Sequence, residues 1–241
     1  MYEAFLAALS VVAGAVAALA GFGIGSLLTP ALAVSVGTKV AVAVVALPHF
    51  AATALRLWML RRSVDRRVLL TFGVASAVGG LTGAVLHSFF ASPVLGVVLG
   101  ALLLFGGVSE LLGLLRRFRV CGVLSIVGGA LSGLFGGLVG NQGGIRSAAL
   151  LRFDLDPRAL IATATASALL VDVARVPVYL VSNFDDLRDA WLLTIVLAIG
   201  VVVGTVVGAP ILRRIPDPLF RRVLALLLIG LGVALILAIG A

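Results

Sequence analysis

Apolar residues run along this chain in blocks of membrane-crossing length. They cover roughly 2–21, 39–60, 68–88, 93–115, 120–139, 158–181, 189–211 and 219–240. A helix needs about 20 predominantly apolar residues to cross a bilayer, so the pattern predicts eight spanning helices. Two apolar pieces, 26–36 and 143–151, are too short to span and read as half-helices. Each follows a glycine-rich break. The first is Gly21-Phe22-Gly23-Ile24-Gly25; the second is Gly136-Gly137-Leu138-Val139-Gly140-Asn141-Gln142-Gly143-Gly144. Glycine inside a helix costs about 1 kcal/mol relative to alanine. Backbone freed at bilayer depth persists only where protein buries it or where it lines a wet cavity. Two such breaks in corresponding halves predict a binding site near the membrane midplane.

The halves correspond in sequence. Gly14, Gly21 and Gly25 match Gly129, Gly136 and Gly140 at a shift of 115, while Lys39 and Arg56 match Arg158 and Arg175 at 119. The difference predicts about four extra residues after the second break. Loop charge sets the relative orientation. Residues 61–67 are net positive and their counterpart 182–189 is net negative; around His87 there is no Lys or Arg, whereas 213–222 carries Arg213, Arg214, Arg221 and Arg222. By the positive-inside rule equivalent loops lie on opposite sides, which is an inverted repeat. Eight plain crossings would put 61–67 and 182–189 on one side, so each half needs a reversal, and the breaks supply it as re-entrant hairpins. The expected fold is an all-α polytopic membrane protein of two inverted repeats, 1–117 and 118–241, with about eight transmembrane helices plus two half-helices. Both termini then lie outside. The inside loops, 61–67, 116–119, Arg152, Arg158 and 213–222, hold thirteen of the 18 basic residues. Lys39 and Arg188 lie outside, and Arg56, Arg146 and Arg175 lie at membrane depth. Eight plain spans with a weakened charge rule is the competing topology.

Composition agrees with a lipid environment. The chain is 62% hydrophobic and 12% charged, against about 25% charged in soluble domains, and its mean hydropathy is +1.26. Its net charge of +8 sits in clusters that suit an anionic cytoplasmic leaflet; no soluble basic domain exists to hold nucleic acid. Cys121 is the single cysteine, so there is no intrachain disulfide and no paired-thiol metal site. The start, Met1-Tyr2-Glu3, lacks a positive n-region, and the first apolar stretch reads as a retained helix.

The breaks carry the first candidate chemistry. Half-helices beginning at Gly25-Ser26 and Gly143-Gly144 present free backbone N–H groups and a positive dipole end to an anion. Gly23, Gly25, Ser26, Asn141, Gln142, Gly143 and Gly144 are therefore candidate binding residues; close packing by small residues is the alternative. Arg146 falls in the first turn of its half-helix, where a cation opposes the dipole. A bound anion would offset that, as would a carbonyl partner or snorkelling. Arg175 is a candidate ligand-binding residue with Asp172 three positions earlier on the same face; a structural ion pair, an arginine lent to the substrate and an Asp172 proton carrier all remain open. Arg56, its counterpart, either joins the site or snorkels towards Arg61. His49, beside Pro48 in mid-helix, is a packing group or a proton relay. Together, Asp172, His49 and Arg56 form the candidate gating or coupling set. Thr163, Thr165 and Ser167 line a polar path or bond back to their own helix. His87 is expected at the interface.

Glycine break, short apolar piece, long helix, basic loop and then a second copy: this order resembles the TauE/SafE sulfite exporter family. The matching stretches run from Gly14 to Arg56 and from Gly129 to Arg175. Phe22 and Ile24 interrupt the consecutive glycines frequent in that family, and Asn141 and Gln142 interrupt the second break. The resemblance implies a multi-pass permease of the bacterial inner membrane, a secondary carrier of small sulfur-containing or organic anions such as sulfite and sulfonates. Partners would be that anion and the bilayer, with a homodimer as an open assembly. An anion channel and a non-transporting membrane protein are the alternatives. No catalytic residue, metal site or cofactor is expected. Ser132 lies in a turn that only loosely resembles that of an intramembrane protease, and neither H-E-x-x-H nor a Walker loop occurs.

Overall fold

The computed structural model describes residues 2–113, 123–151, 153–212 and 214–240. Arg116, Arg117, Arg119, Cys121, Arg152 and Arg213, and the junction between 117 and 118, lie outside the described residues. Every described element is helical. We label them α1 (Tyr2–Ala20), α2 (Ile24–Val36), α3 (Thr38–Leu60), α4 (Arg66–Phe89), α5 (Ser92–Leu112), α6 (Val123–Val139), α7 (Gly143–Leu150), α8 (Pro157–Ser182), α9 (Trp191–Gly208) and α10 (Asp217–Gly240). Seven of them, α1, α3, α4, α5, α8, α9 and α10, are long and apolar enough to cross a membrane. The expected eighth span is α6, 17 residues as described, adjoining the undescribed 114–122. Asp156 caps α8, accepting from the Arg158 and Ala159 amides, with Pro157 in its first turn.

Both breaks fall between a long helix and a short one. Gly21 and Gly140 follow the ends of α1 and α6 with φ of 77° and 73°, the left-handed region that glycine enters freely. These two are 119 residues apart, as are Ala20 and Val139, and Ile24 and Gly143. The backbone thus pairs Gly21 with Gly140, whereas the sequence match pairs it with Gly136, and no four extra residues follow the second break. After each break the chain doubles back. Tyr2 at the start of α1 donates to the Ala31 carbonyl (2.7 Å) and meets Ser35 Oγ (2.9 Å) near the end of α2. Likewise, a β-carbon at Gly128 would touch that of Ala149 across α6 and α7.

Two glycine seams join the halves. Along α6, Gly129, Gly133 and Gly137 recur every fourth residue, and β-carbons there would run into the carbonyls of Phe72, Ser76 and Gly80 on α4. On α9, Gly200, Gly204 and Gly208 make the corresponding approach to Ser10, Val11 and Ala15 of α1. Small residues at four-residue spacing allow backbones to touch, which drives helix association in lipid where hydrophobic burial cannot. Helix α6 therefore packs on α4, and α1 on α9. Central helices α3 and α8 are 61% buried over their apolar windows, against 28% for α10. They hold His49, Arg56, Asp172 and Arg175, all buried, whereas α10 faces outward.

Candidate functional site

Helix ends meet at the breaks, and side chains from the centre of the bundle bond to their last carbonyls; those of Ala17 and Gly136 also accept from the Gly21 and Gly140 amides. Arg56 on α3 donates to the Ala17 carbonyl of α1, and Arg175 on α8 donates through Nη1 to the Gly136 carbonyl of α6 (2.6 Å). Both pairs recur 119 positions apart, like the break glycines. Tyr179 caps Gly137, and His87 Nδ1 caps the Leu138 carbonyl at 2.8 Å. His87 is therefore buried against α6, where the sequence suggested an interface, because a C-terminal carbonyl claims its ring. Cations and hydrogen-bond donors at helix C-termini are electrostatically favourable.

The two breaks touch. Ser26 Oγ donates to Asn141 Oδ1 at 3.1 Å. A β-carbon at Gly25 would strike the Gly140 carbonyl, one at Gly143 would strike the Phe22 side chain, and one at Gly23 would press on Val16. Those three glycines serve close packing in this arrangement. Gly144 differs: a β-carbon there meets nothing within 4 Å, and the residue lines a cavity of about 480 Å³ together with Ser26, Asn141 and Gln142.

Behind the contact lies a buried charge cluster. Asp172 is fully buried; its Oδ1 accepts from Arg175 Nε at 2.9 Å and faces Nη2 at 2.8 Å, while its Oδ2 meets His49 Nδ1 at 2.7 Å. Thr53 Oγ1 lies 3.4 Å from the same His49 nitrogen. Arg56, 4% exposed, does not snorkel, because Thr165 Oγ1 accepts from its Nε at 3.1 Å and Ala17 holds its tip. Thr165 and Ser167 also bond back to α8 carbonyls, and Thr163 accepts from the Asp65 amide. These hydroxyls brace helices and the α3–α4 loop.

Arg146 is the exception in this well-satisfied network. It is 1% exposed, and its Nη2 donates to the Gly21 carbonyl at 3.1 Å, but Nε and Nη1 have no acceptor. Arg56 and Arg175 act on it as like charges and Asp172 as the opposing one. Gln142, 4% exposed, leaves both amide atoms unpaired, and Thr29 Oγ1 is unpaired as well. Five of the seven buried side-chain polar atoms without partners among the described residues thus belong to Thr29, Gln142 and Arg146, on the two half-helices and the second break. Native interiors pair nearly all such groups, so their concentration here marks a place built for polar contact. Three guanidiniums face one carboxylate, which leaves the cluster cationic. Chemically, the arrangement offers positive charge from Arg146 and hydrogen-bonding groups from guanidinium, amide and hydroxyl. Tyr179 and Thr29 escaped the sequence reading, and His87 was expected at the interface, since only their tertiary partners distinguish them from ordinary helix residues. Among the described residues no cluster of His, Cys, Asp and Glu has the makings of a metal site.

The Sulfite exporter TauE/SafE family profile matches residues 6–235, nearly the whole chain. Neither a curated protein nor a solved structure matches.

Proposed function

The chain belongs to the TauE/SafE sulfite exporter family of membrane transporters, and on that premise we propose that it is a secondary carrier of small sulfur-containing or organic anions, bound where the two breaks meet. Arg146 carries the reading. A guanidinium sealed from water with two of its nitrogens unpaired is costly, and an oxyanion supplies both missing charge and missing acceptors. Gln142 and Thr29 add neutral donors beside it, Gly144 lets the ligand approach the backbone of α7, and the Ser26–Asn141 bond holds the two tips together. Arg175 supplies a second cation through exchange of Asp172 for the substrate, and His49 shares the same carboxylate, which makes His49 and Asp172 the coupling pair.

The transport cycle we infer is alternating access between two inverted repeats, 1–117 and 118–241, each carrying a re-entrant hairpin and moving against the other. Similar φ values at Gly21 and Gly140, and the matching Arg56–Ala17 and Arg175–Gly136 bonds, favour that internal symmetry. Its setting is the bacterial inner membrane. A cavity that reaches the breaks from the side of Glu110 and Arg221 suits a carrier caught open to one face. The test is counterflow in liposomes. A carrier preloaded with unlabelled sulfite accumulates labelled sulfite transiently, and the rate saturates. Current without exchange would instead make the protein a channel, and no flux at all would reject transport of this anion.

A further inference from the structure

Four arginines crowd the turn between α3 and α4. Arg61, Arg62, Arg66 and Arg67 are all exposed, with Asp65 as the one acidic residue among them. That aspartate is spent on the fold. Its Oδ1 accepts from the Val68 amide at 2.9 Å, which caps α4, and its own amide donates to Thr163 Oγ1 at 2.9 Å. None of the ion pairs among the described residues includes these four arginines. Trp58 fixes the depth of the turn. Its ring is 64% exposed, the Arg61 guanidinium lies 4.9 Å from the ring centroid, and Arg61 Nη1 donates to the Trp58 carbonyl at 2.7 Å. An exposed tryptophan at the end of a spanning helix sits at headgroup level. Apolar surface adjoins the charge: Leu70, Val74 and Val78, all exposed, follow Arg66 down α4 at intervals of four residues.

We propose that this turn is a binding site for an anionic phospholipid, with the phosphate among the four arginines and the acyl chains against Leu70, Val74 and Val78. The apolar strip selects a lipid over a free phosphate, which gains nothing from it. Charge selects an anionic lipid over a zwitterionic one, since an arginine near an anionic surface contributes about fivefold in affinity. The turn between α8 and α9 offers the contrast: residues 182–189 carry three aspartates and one arginine, beside the exposed Trp191. A seated lipid reaches the centre of the bundle through the frame. The turn ends α3, which carries His49 and Arg56, and the Asp65–Thr163 bond ties it to α8, which carries Asp172 and Arg175. The headgroup thus braces the two central helices against each other, whatever anion is carried.

The chain's two tryptophans, Trp58 and Trp191, report the two turns separately. In phosphatidylcholine bilayers, Trp191→Phe leaves Trp58 as the fluorophore and Trp58→Phe leaves Trp191. Phosphatidylglycerol or phosphatidylcholine brominated high on the acyl chain then quenches whichever ring it adjoins. Brominated phosphatidylglycerol should quench Trp58 at a roughly fivefold lower mole fraction than brominated phosphatidylcholine, and Trp191 should show no such preference. The preference should vanish in Arg66→Gln/Arg67→Gln and persist in Arg214→Gln/Arg222→Gln, which removes two exposed arginines elsewhere. About 1 M salt, which shortens the Debye length to about 3 Å, should erode it with every arginine in place, so the test does not hang on the folding of a charge variant. Equal quenching of Trp58 by the two lipids overturns the proposal, as does a preference indifferent to salt. The same preference at Trp191, or equal loss in both double variants, replaces the site with diffuse surface charge. Relief of the quenching by inorganic phosphate, beyond that by sodium chloride at matched ionic strength, makes the turn a seat for a soluble anion and overturns the lipid.

Discussion

A buried guanidinium can be a strut or a receptor, and its unspent N–H groups separate the two. Arg56 and Arg175 are largely struts by this measure, since carbonyls, Thr165 and Asp172 occupy them. Arg146 keeps Nε and Nη1 free. Hydrogen bonds to charged groups contribute about 1.5–3 kcal/mol, so Arg146→Ala should weaken anion binding roughly tenfold to a hundredfold. Arg146→Lys should recover part of it, because an ammonium cannot grip an oxyanion in a bidentate manner. Titration of the purified variants with methanesulfonate measures this, and wild-type affinity in Arg146→Ala would return Arg146 to the role of a helix cap. The Asp172 pair makes a second, separable prediction. Losing one partner of a buried pair costs about 3–5 kcal/mol, so Asp172→Asn and Arg175→Gln should each unfold more readily, while the double variant recovers stability. If Arg175 is lent to the anion, that double variant folds but no longer transports. Normal flux would make the pair purely structural. Further, if His49 and Asp172 carry a coupled proton, His49→Gln should keep anion exchange yet lose its response to a pH gradient. The charged members of this site were legible in the sequence, because an arginine or aspartate in an apolar stretch is conspicuous. Their partners were not: which carbonyl Arg146 meets, or that His87 caps α6, depends on helices brought together from opposite halves.

Helix length and position were readable for a related reason, since lipid imposes one length scale on every span. What the hydrophobic pattern could not supply is which glycines face a helix and which face a ligand. Within the second break, Gly143 abuts Phe22 whereas Gly144 opens into the cavity. Gly143→Val should therefore act through packing, lowering stability in a way that Phe22→Ala partly relieves. Gly144→Val should leave stability nearly unchanged and weaken binding, because its new methyls occupy the ligand's approach. Thermal unfolding with and without anion separates these effects. Equal loss of stability in both variants would contradict the assignment. The seams follow the same logic. At Gly133 a side chain meets the Ser76 backbone, which cannot yield as a flexible side chain can, and at Gly230 nothing lies within 4 Å. Overpacking costs about 1–3 kcal/mol or more, so Gly133→Leu should destabilise strongly where Gly230→Leu does not.

At the scale of the whole molecule, side-chain bonds fix which helix ends are neighbours, and those neighbours support one route through the membrane. Tyr2 beside Ala31 and Ser35 returns α2 to the side where α1 began. Lys39 at the start of α3 reaches the Ser88 carbonyl at the end of α4, so these two ends share that side as well. Asp65, in the loop after α3, bonds Thr163 near the start of α8, which puts the beginning of α8 on the opposite face. On the re-entrant topology proposed above, 61–67 and 213–222 share one face and 182–189 lies on the other. That topology gathers the basic loops on one side, as the positive-inside rule requires, and would open the cavity at Arg221 to the same face. With Cys121 replaced by serine, single cysteines at Arg62, Asp185 and Arg222 test the route, since all three positions are exposed. A membrane-impermeant thiol reagent applied to intact cells should label Asp185→Cys, while Arg62→Cys and Arg222→Cys should react only after the membrane is opened. Labelling of Arg62→Cys and Asp185→Cys from one side would mean that the breaks do not reverse the chain. The two hairpins would then have to be redrawn as ordinary spans.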